Sequence, residues 1–355
     1  MDDPATSNNE GMTPTGSSGI GSGSRRLLPP EIKHRFAVEV PDRVEDFNPA
    51  ELVISVGAAT PITRLLKSVQ EHQLVPCGVQ PDELGTVGGL FSDPREGPCD
   101  PFTGRFRDHV LGIEGFRGDG SALLSGGKVV KNVTGYDLIR LLGGAMGALG
   151  VVTRLHLRLE RVSPGWALVS LPFDHSSRTW EQLDQVRLLP IEPYLLCIEP
   201  EKQRIRVVLA GTKNSISESH QLLGEVISGS HAETIDQQEV TRFHRLHRAD
   251  PGVALRIRLP WTGWKKIAAS APGTWRAIFP SAGFGILEHV ASGNSLRQLV
   301  QDVSQLGGSV CAEDAMAEDR YQIPIVHPFP FDKLTKQLRR EWDPQGLLAW
   351  RGERR

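Results

Sequence analysis

The sequence predicts an α+β protein of two domains, and three observations lead there. Runs that alternate apolar and polar residues, best seen in Val151-Val152-Thr153-Arg154-Leu155-His156-Leu157-Arg158-Leu159, read as half-buried strands. Runs with apolar residues three and four apart, such as Ile62, Leu65, Leu66 and Val69, read as amphipathic helices lying between strands. Beyond Arg161 the texture changes, and Ser163-Pro164-Gly165 reads as the boundary between two units. At 355 residues the chain is long enough to give each unit its own core.

An apolar share of 39% with 23% charged residues is that of a soluble globular protein, and a net charge of -2 argues against a general nucleic-acid binder. The first 25 residues are polar and unlike a signal peptide, and no run approaches the roughly 18 apolar residues of a membrane span. The expected location is therefore cytoplasmic. Cys77, Cys99, Cys197 and Cys311 are scattered, with neither a CxxC pair nor iron-sulfur spacing, so reduced, partly buried thiols are expected and no cluster.

In chain order, residues 1 to 32 are rich in Ser, Gly and Pro and read as a polar, mostly disordered segment. Phe36-Ala37-Val38-Glu39-Val40 and Leu52-Val53-Ile54-Ser55-Val56 read as strands, separated by the turn material Asp46-Phe47-Asn48-Pro49. Pro61 suits the first turn of the helix that follows. Leu84 to Asp108 reads as a long loop, of the kind that is either disordered or wrapped on a ligand. Val110 to Phe116 and Ala122 to Leu124 flank Arg117-Gly118-Asp119-Gly120 as a hairpin. After the boundary, strands at Tyr194 to Ile198, Ile205 to Ala210, Ala254 to Leu259 and Phe284 to Val290 are joined by helices at Ser215 to Ile227 and Ser295 to Leu306. That interleaving suggests a ferredoxin-like α+β cap. His244 and His247, three apart on a helix, read as solvated rather than as metal ligands.

The chain is organised around Gly126 to Gly150. Ten of the 37 glycines lie between Gly115 and Gly150, a density that is conformationally costly unless a turn or close backbone approach requires it. Asp137 favours a helix start before Leu138-Ile139-Arg140-Leu141-Leu142, Gly143-Gly144 stop it, and Gly147 and Gly150 bracket the passage into the Val151 strand. Such a bend can turn several amides toward an anionic or planar ligand. A corner that only packs a helix on a sheet fits the same composition.

Six stretches occur in family order: Gly85-Thr86-Val87-Gly88-Gly89, Ser92-Asp93-Pro94-Arg95, Arg107-Asp108-His109-Val110-Leu111-Gly112, Gly118-Asp119-Gly120, Gly126 to Asp137, and Gly147-Ala148-Leu149-Gly150-Val151-Val152-Thr153. Together they resemble the FAD-linked oxidases of the vanillyl-alcohol oxidase and p-cresol methylhydroxylase (PCMH) superfamily. Lys131-Asn132-Val133-Thr134-Gly135-Tyr136-Asp137 looks more specifically like the FAD-binding E-type subunits of glycolate oxidase. The resemblance covers residues 14 to 160 well and the remainder loosely.

The resemblance implies a PCMH-type FAD-binding domain over 33–162, an α+β cap over 163–330, and a helix and tail over 331–355 returning to the first domain. It implies non-covalent FAD. Gly16, Ser17, Ser18 and Gly19 fall where the family has its pyrophosphate loop, and the strand and helix that precede that loop in the family are expected either to be absent or to lie upstream of the sequence start. Thr86, Gly88 and Gly89 would lie against the flavin or its diphosphate, while Gly147, Gly150, Val151 and Val152 would pass beside a ring. A bulky residue at Gly88 or Gly150 is thus expected to abolish flavin content without unfolding.

Oxidation of a 2-hydroxy acid by flavin needs a base and cations for the carboxylate. His327, in a stretch resembling a family motif, and Arg256 with Arg258, on one face of a cap strand, are the candidates; two arginines so placed also suit a solvated surface. The family implies a D-type catalytic subunit and an iron-sulfur subunit as partners, with any membrane association made through them. A flavin-free scaffold and a self-sufficient flavoprotein acting on another substrate are the other readings.

Overall fold

Two antiparallel sheets carry the fold, and the chain passes from one to the other between Arg161 and Trp166. The computed structural model describes residues 38–79, 83–93, 96–128, 137–291, 293–324 and 333–348. The first sheet contains β1 (Val44–Asn48), β2 (Val53–Gly57), β3 (Leu74–Pro76), β4 (Val110–Phe116), β5 (Ala122–Gly126) and β6 (Val151–Arg161). Its order is β1-β2-β6-β4-β5, with β3 paired to the far end of β6.

The long strand β6 is the spine because its period-two pattern is cleanly two-faced. Leu155, Leu157 and Leu159 are buried on one side against helix α1 (Ile62–Gln70) and the short helix α2 (Val87–Ser92), whereas Arg154 and His156 face the other side. The first strand lies later than the alternation at Phe36 to Val40 predicts. Val38 to Val40 form no strand, and β1 runs to Asn48 because the Asn48 side chain closes the turn itself, accepting from Ala50 N–H (3.1 Å) and Glu51 N–H (3.2 Å). Helix α2 lies in the stretch that reads as loop. Thr86 caps it, and Gly88 is needed inside it because a Cβ there would stand 2.8 Å from the Cβ of Ala58.

Three further short elements complete this unit: α3 (Asp100–Thr103), a 3-10 turn at Phe106–His109, and α4 (Leu138–Leu142). The second sheet has eight strands built from one plan used twice. The first half is β7 (Trp166–Pro172), α5 (Ser177–Val186), β8 (Leu195–Glu199), β9 (Arg204–Ala210), α6 (Lys213–Val226) and β10 (His231–Thr234). After α7 (Gln237–His244) the second half repeats it: β11 (Ala254–Arg258), α8 (Trp264–Ser270), β12 (Thr274–Phe279), β13 (Phe284–Glu288), α9 (Asn294–Gln305) and β14 (Ser309–Ala312).

The sheet order β10-β7-β9-β8-β12-β13-β11-β14 places each half in the ferredoxin-like arrangement of fourth, first, third and second strand. The halves meet where Ile198 of β8 pairs with Ile278 of β12. The five cap helices of these repeats are set by their apolar stripes and by caps such as Ser176, Thr212 and Asp236. One face of the sheet, with Val207, Leu255 and Ile278, packs under the helices, and the other, with Cys197, Val208, Phe279 and Ile286, packs with α7 and Cys99.

The chain ends with α10 (Ala315–Tyr321) and α11 (Lys333–Trp342), and the latter returns to the first sheet. Leu338 and Trp342 pack on its core, and Asp119 N–H donates to the Trp342 carbonyl at 3.0 Å. In the terminal Asp-Pro-x-Gly turn, Asp343 accepts from Leu347 N–H (2.7 Å) and Leu348 N–H (2.9 Å). A Cβ on Gly118 would meet that carboxylate at 2.5 Å, so the hairpin glycine is bare to receive it.

Candidate functional site

The glycine bend is stitched to the end of helix α2. Asp137 caps α4 through Arg140 N–H (3.1 Å), and after Gly143 the chain turns with positive φ at Gly144, Met146 and Gly147. Gly144 N–H donates to the Phe91 carbonyl and Met146 N–H to that of Ser92, both at 3.0 Å. The two predicted cofactor segments, around Gly88 and around Gly147 to Gly150, are therefore neighbours.

They differ in what they offer. Among the described residues no acceptor meets the amides of Gly147, Leu149 and Gly150, although Leu149 and Gly150 are buried. Buried amides normally find a partner, so this corner is chemically suited to an acceptor from outside the chain, such as the oxygens or ring edge of a dinucleotide. The amides of α2 are already occupied. Val87 N–H donates to the Thr60 carbonyl (3.0 Å), Gly88 N–H to the Ala58 carbonyl (2.8 Å), and Gly89 N–H to Thr86 Oγ1 (3.1 Å).

Thr86, Gly88 and Gly89 thus shape the wall beside the bend and lend it no N–H from Gly88 or Gly89. Val151 and Val152 pair with Phe116 and Gly115 of β4 and lead the bend into the sheet. A Cβ at Gly150 would lie 3.1 Å from the Phe116 carbonyl oxygen, and one at Gly88 would collide with Ala58, so a bulky residue at either position strains the fold itself. Gly16, Ser17, Ser18, Gly19 and His327 lie outside the described residues, as does the motif from Lys131 to Tyr136.

Arg256 and Arg258 do share one face of β11, and both hold carboxylates of this chain. Arg258 grips Glu96 through Nε (3.0 Å) and Nη2 (2.9 Å), and its Nη1 reaches Cys311 Sγ at 3.2 Å. Arg256, 3% exposed, binds Glu313 at 2.6 Å and the Glu96 carbonyl at 3.0 Å, with its guanidinium 4.2 Å from the centre of the Phe284 ring. Burial works against the charge on Glu96, but the Arg258 hydrogen bonds and charge outweigh it and hold the carboxyl below its ordinary range.

Glu96 stands four residues after Ser92, so the segment that stitches to the bend also docks on the cap. Cys99 follows it into the cap core, with Sγ 3.3 Å from Nε2 of His244. His244 is completely buried, contrary to the solvated position its helix pattern predicts, because α7 lies across the sheet and turns that residue inward.

The far face of the first sheet carries a polar network that sequence reasoning missed. Arg154 bridges Glu45 and Glu114, and His156 lies between Ser55 Oγ (2.8 Å) and Glu114 Oε1 (3.4 Å). Burial pushes the His156 imidazole down, against the pull of Glu114, which favours a neutral ring between hydroxyl and carboxylate. Its signal was the polar half of the alternating β6 pattern; its partners come from strands up to 109 positions away.

No protein-family model matches the chain. A glycolate oxidase subunit, GlcE of Escherichia coli strain K12, is 32% identical over 223 residues, which is 61% of this chain and 61% of that protein. An uncharacterised FAD-linked oxidoreductase of Mycobacterium tuberculosis strain H37Rv is 25% identical across 97% of this chain and 84% of its own length. Among solved structures, an alkyldihydroxyacetonephosphate synthase superposes with a TM-score of 0.63 at 13% identity, over 87% of this chain and 65% of that one. The chain therefore spans less than two thirds of the glycolate oxidase subunit and of the synthase it matches. The likeness to the synthase shows a shared fold, that of a PCMH-type domain with its cap, and the sequence likeness is to a glycolate oxidase subunit and an FAD-linked oxidoreductase.

Proposed function

We propose that the chain is the FAD-binding subunit of a glycolate oxidase- or dehydrogenase-type complex that oxidises a 2-hydroxy acid. The observation that carries this is the corner at Gly147 to Gly150, whose buried amides have no acceptor among the described residues. FAD, bound there without a covalent link, would supply the hydride acceptor. The residues of the chain hold and enclose it: the bend donates N–H groups, α2 walls one side, and the cap is fastened over the same region through Glu96. The proposed partners are a D-type catalytic subunit and an iron-sulfur subunit; the likeness to the glycolate oxidase subunits GlcE and GlcD supports a complex of this kind. Among the described residues no helix is long and apolar enough to cross a membrane; any membrane association runs through those partners.

The test is the visible absorption spectrum of the purified chain after FAD is added and removed by desalting, followed by glycolate-dependent dye reduction with and without the chain in the reconstituted complex. Retained flavin bands and loss of activity on omission support the reading. A second reading, a flavin-free scaffold in the same kind of complex, is favoured by the occupied amides of α2 and by the two cap arginines that already hold Glu96 and Glu313. It predicts a colourless, folded chain whose omission disrupts assembly.

A further inference from the structure

We propose that the surface where the β8–β9 turn meets the end of α7 docks a carboxylate-rich face of a partner protein. Residues 199–206 hold Lys202, Arg204 and Arg206 against Glu199 and Glu201, and residues 240–248 hold Arg242, Arg245 and Arg248 with no carboxylate. The two stretches form one surface, because the Arg206 guanidinium lies 4.9 Å from the centre of the Phe243 ring. Six cations against two carboxylates leave a formal surplus of four positive charges. On a chain whose net charge is -2, that surplus is a local asymmetry.

Glu199 organises the patch. Its side chain is 2% exposed and takes Lys202 Nζ (2.6 Å), Arg204 Nε (2.7 Å) and Arg206 Nε (2.8 Å). Burial works against its charge, but the hydrogen bonds from Arg204, Lys202 and Arg206 outweigh it and hold the carboxyl down at about 2. One anion cannot neutralise three cations; it fixes them in place. A guanidinium has five N–H groups. Arg206 spends only Nε on Glu199 and Arg204 spends Nε and Nη2, so among the described residues both Nη groups of Arg206 and the Nη1 group of Arg204 meet no acceptor. Donors held before a partner arrives lose little freedom on binding. Arg242 and Arg245, exposed at the end of α7 and in no ion pair among the described residues, widen the patch.

Five of the six cations are arginine, which is enriched at protein interfaces where lysine is depleted. Among the described residues of these two stretches no large apolar side chain is exposed, so nothing here enters a lipid layer. The occupant that fits is a folded protein with Asp and Glu side chains across the matching face. The inference rests on the complex proposed above only for which subunit carries them.

Fluorescence titration of the full chain with labelled poly-L-glutamate, phosphatidylserine vesicles and a single-stranded RNA oligonucleotide checks this on the native protein and three double variants. Arg242→Glu with Arg245→Glu reverses the patch, and Arg242→Lys with Arg245→Lys keeps its charge. Arg178→Glu with Arg297→Glu makes the same change in net charge on the exposed surfaces of α5 and α9. All four positions are exposed and outside the cores, so the variants keep the native melting temperature. The expected result is saturable binding of poly-L-glutamate that weakens at least about tenfold in the reversed patch and stays near native in the other two variants. No saturable binding, equal binding in the reversed patch, equal loss in the α5 and α9 control, or tighter binding of vesicles or RNA overturns it. Co-elution with the D-type and iron-sulfur subunits is measured in parallel, and a reversed patch that co-elutes as the native chain does also overturns it. A native chain that co-elutes with neither subunit removes the reading of the complex, while the poly-L-glutamate titration still decides the patch.

Discussion

The two groups on either side of Cys99 titrate in opposite senses. Burial lifts the Asp100 carboxyl to about 7, against the hydrogen bond it accepts from Gly97 N–H, so the folded chain holds that proton more tightly than the unfolded one. The stability from Asp100 is full below the ordinary carboxylate range, near pH 4, and is lost as pH rises toward 7. Burial drives His244 down to about 3, so its stability is full above about pH 6.5 and is lost as pH falls. Between about pH 4.5 and 6.5 the two slopes offset. Asp100→Asn should therefore leave an unfolding free energy that climbs with pH by up to about 1.4 kcal/mol per unit in that window; urea titrations at stepped pH read this, and a flat profile in the variant contradicts it. Gly88→Ala is expected to cost about 1 to 3 kcal/mol, since its Cβ would meet Ala58, and to lower the melting temperature while leaving flavin per folded molecule unchanged. That glycine was legible in the sequence as a place of close approach; what approaches it is a strand end of the same chain.

Among the elements, those with a long single-period pattern were legible and those fixed by one contact were not. Strand β6 and helices α6 and α9 follow from their apolar spacing within a residue or two. Helix α2 does not, because two adjacent glycines argue against a helix and only the Thr86 cap and the packing on Ala58 make one. Thr86→Ala should accordingly destabilise the first unit by about 1 kcal/mol, measured as a shift in its denaturation midpoint. The ion pair between Glu96 and Arg258 was half legible: the sequence placed two arginines on one strand face, but their carboxylates come from 162 and 57 residues away. With side chains 22% and 31% exposed, that pair falls between surface and buried cases, and Glu96→Gln should cost about 1 to 2 kcal/mol, seen in chemical denaturation.

At the scale of the whole molecule the sequence announced a two-part α+β chain and a ferredoxin-like cap, but not that the cap uses the plan twice. No repeated residues mark the two halves; they share only the order and pairing of their strands, which no local pattern encodes. Their apolar residues nonetheless form one cluster that runs across the seam, from Val169 and Val207 to Leu255 and Leu287. The halves should unfold together. Ile198→Ala, at the seam, is expected to cost about 2 to 5 kcal/mol and to lower the hydrogen-exchange protection of β9 and β13 equally, where loss confined to β9 would mean two separable halves.

A plan used twice also yields two matching corners. In the second half, the residue of β11 opposite Ser309, the first of β14, is Arg258. In the first half, the residue of β7 opposite His231, the first of β10, is Ser170. At the same place in the strand pairing, the first corner thus carries a serine where the second carries a guanidinium.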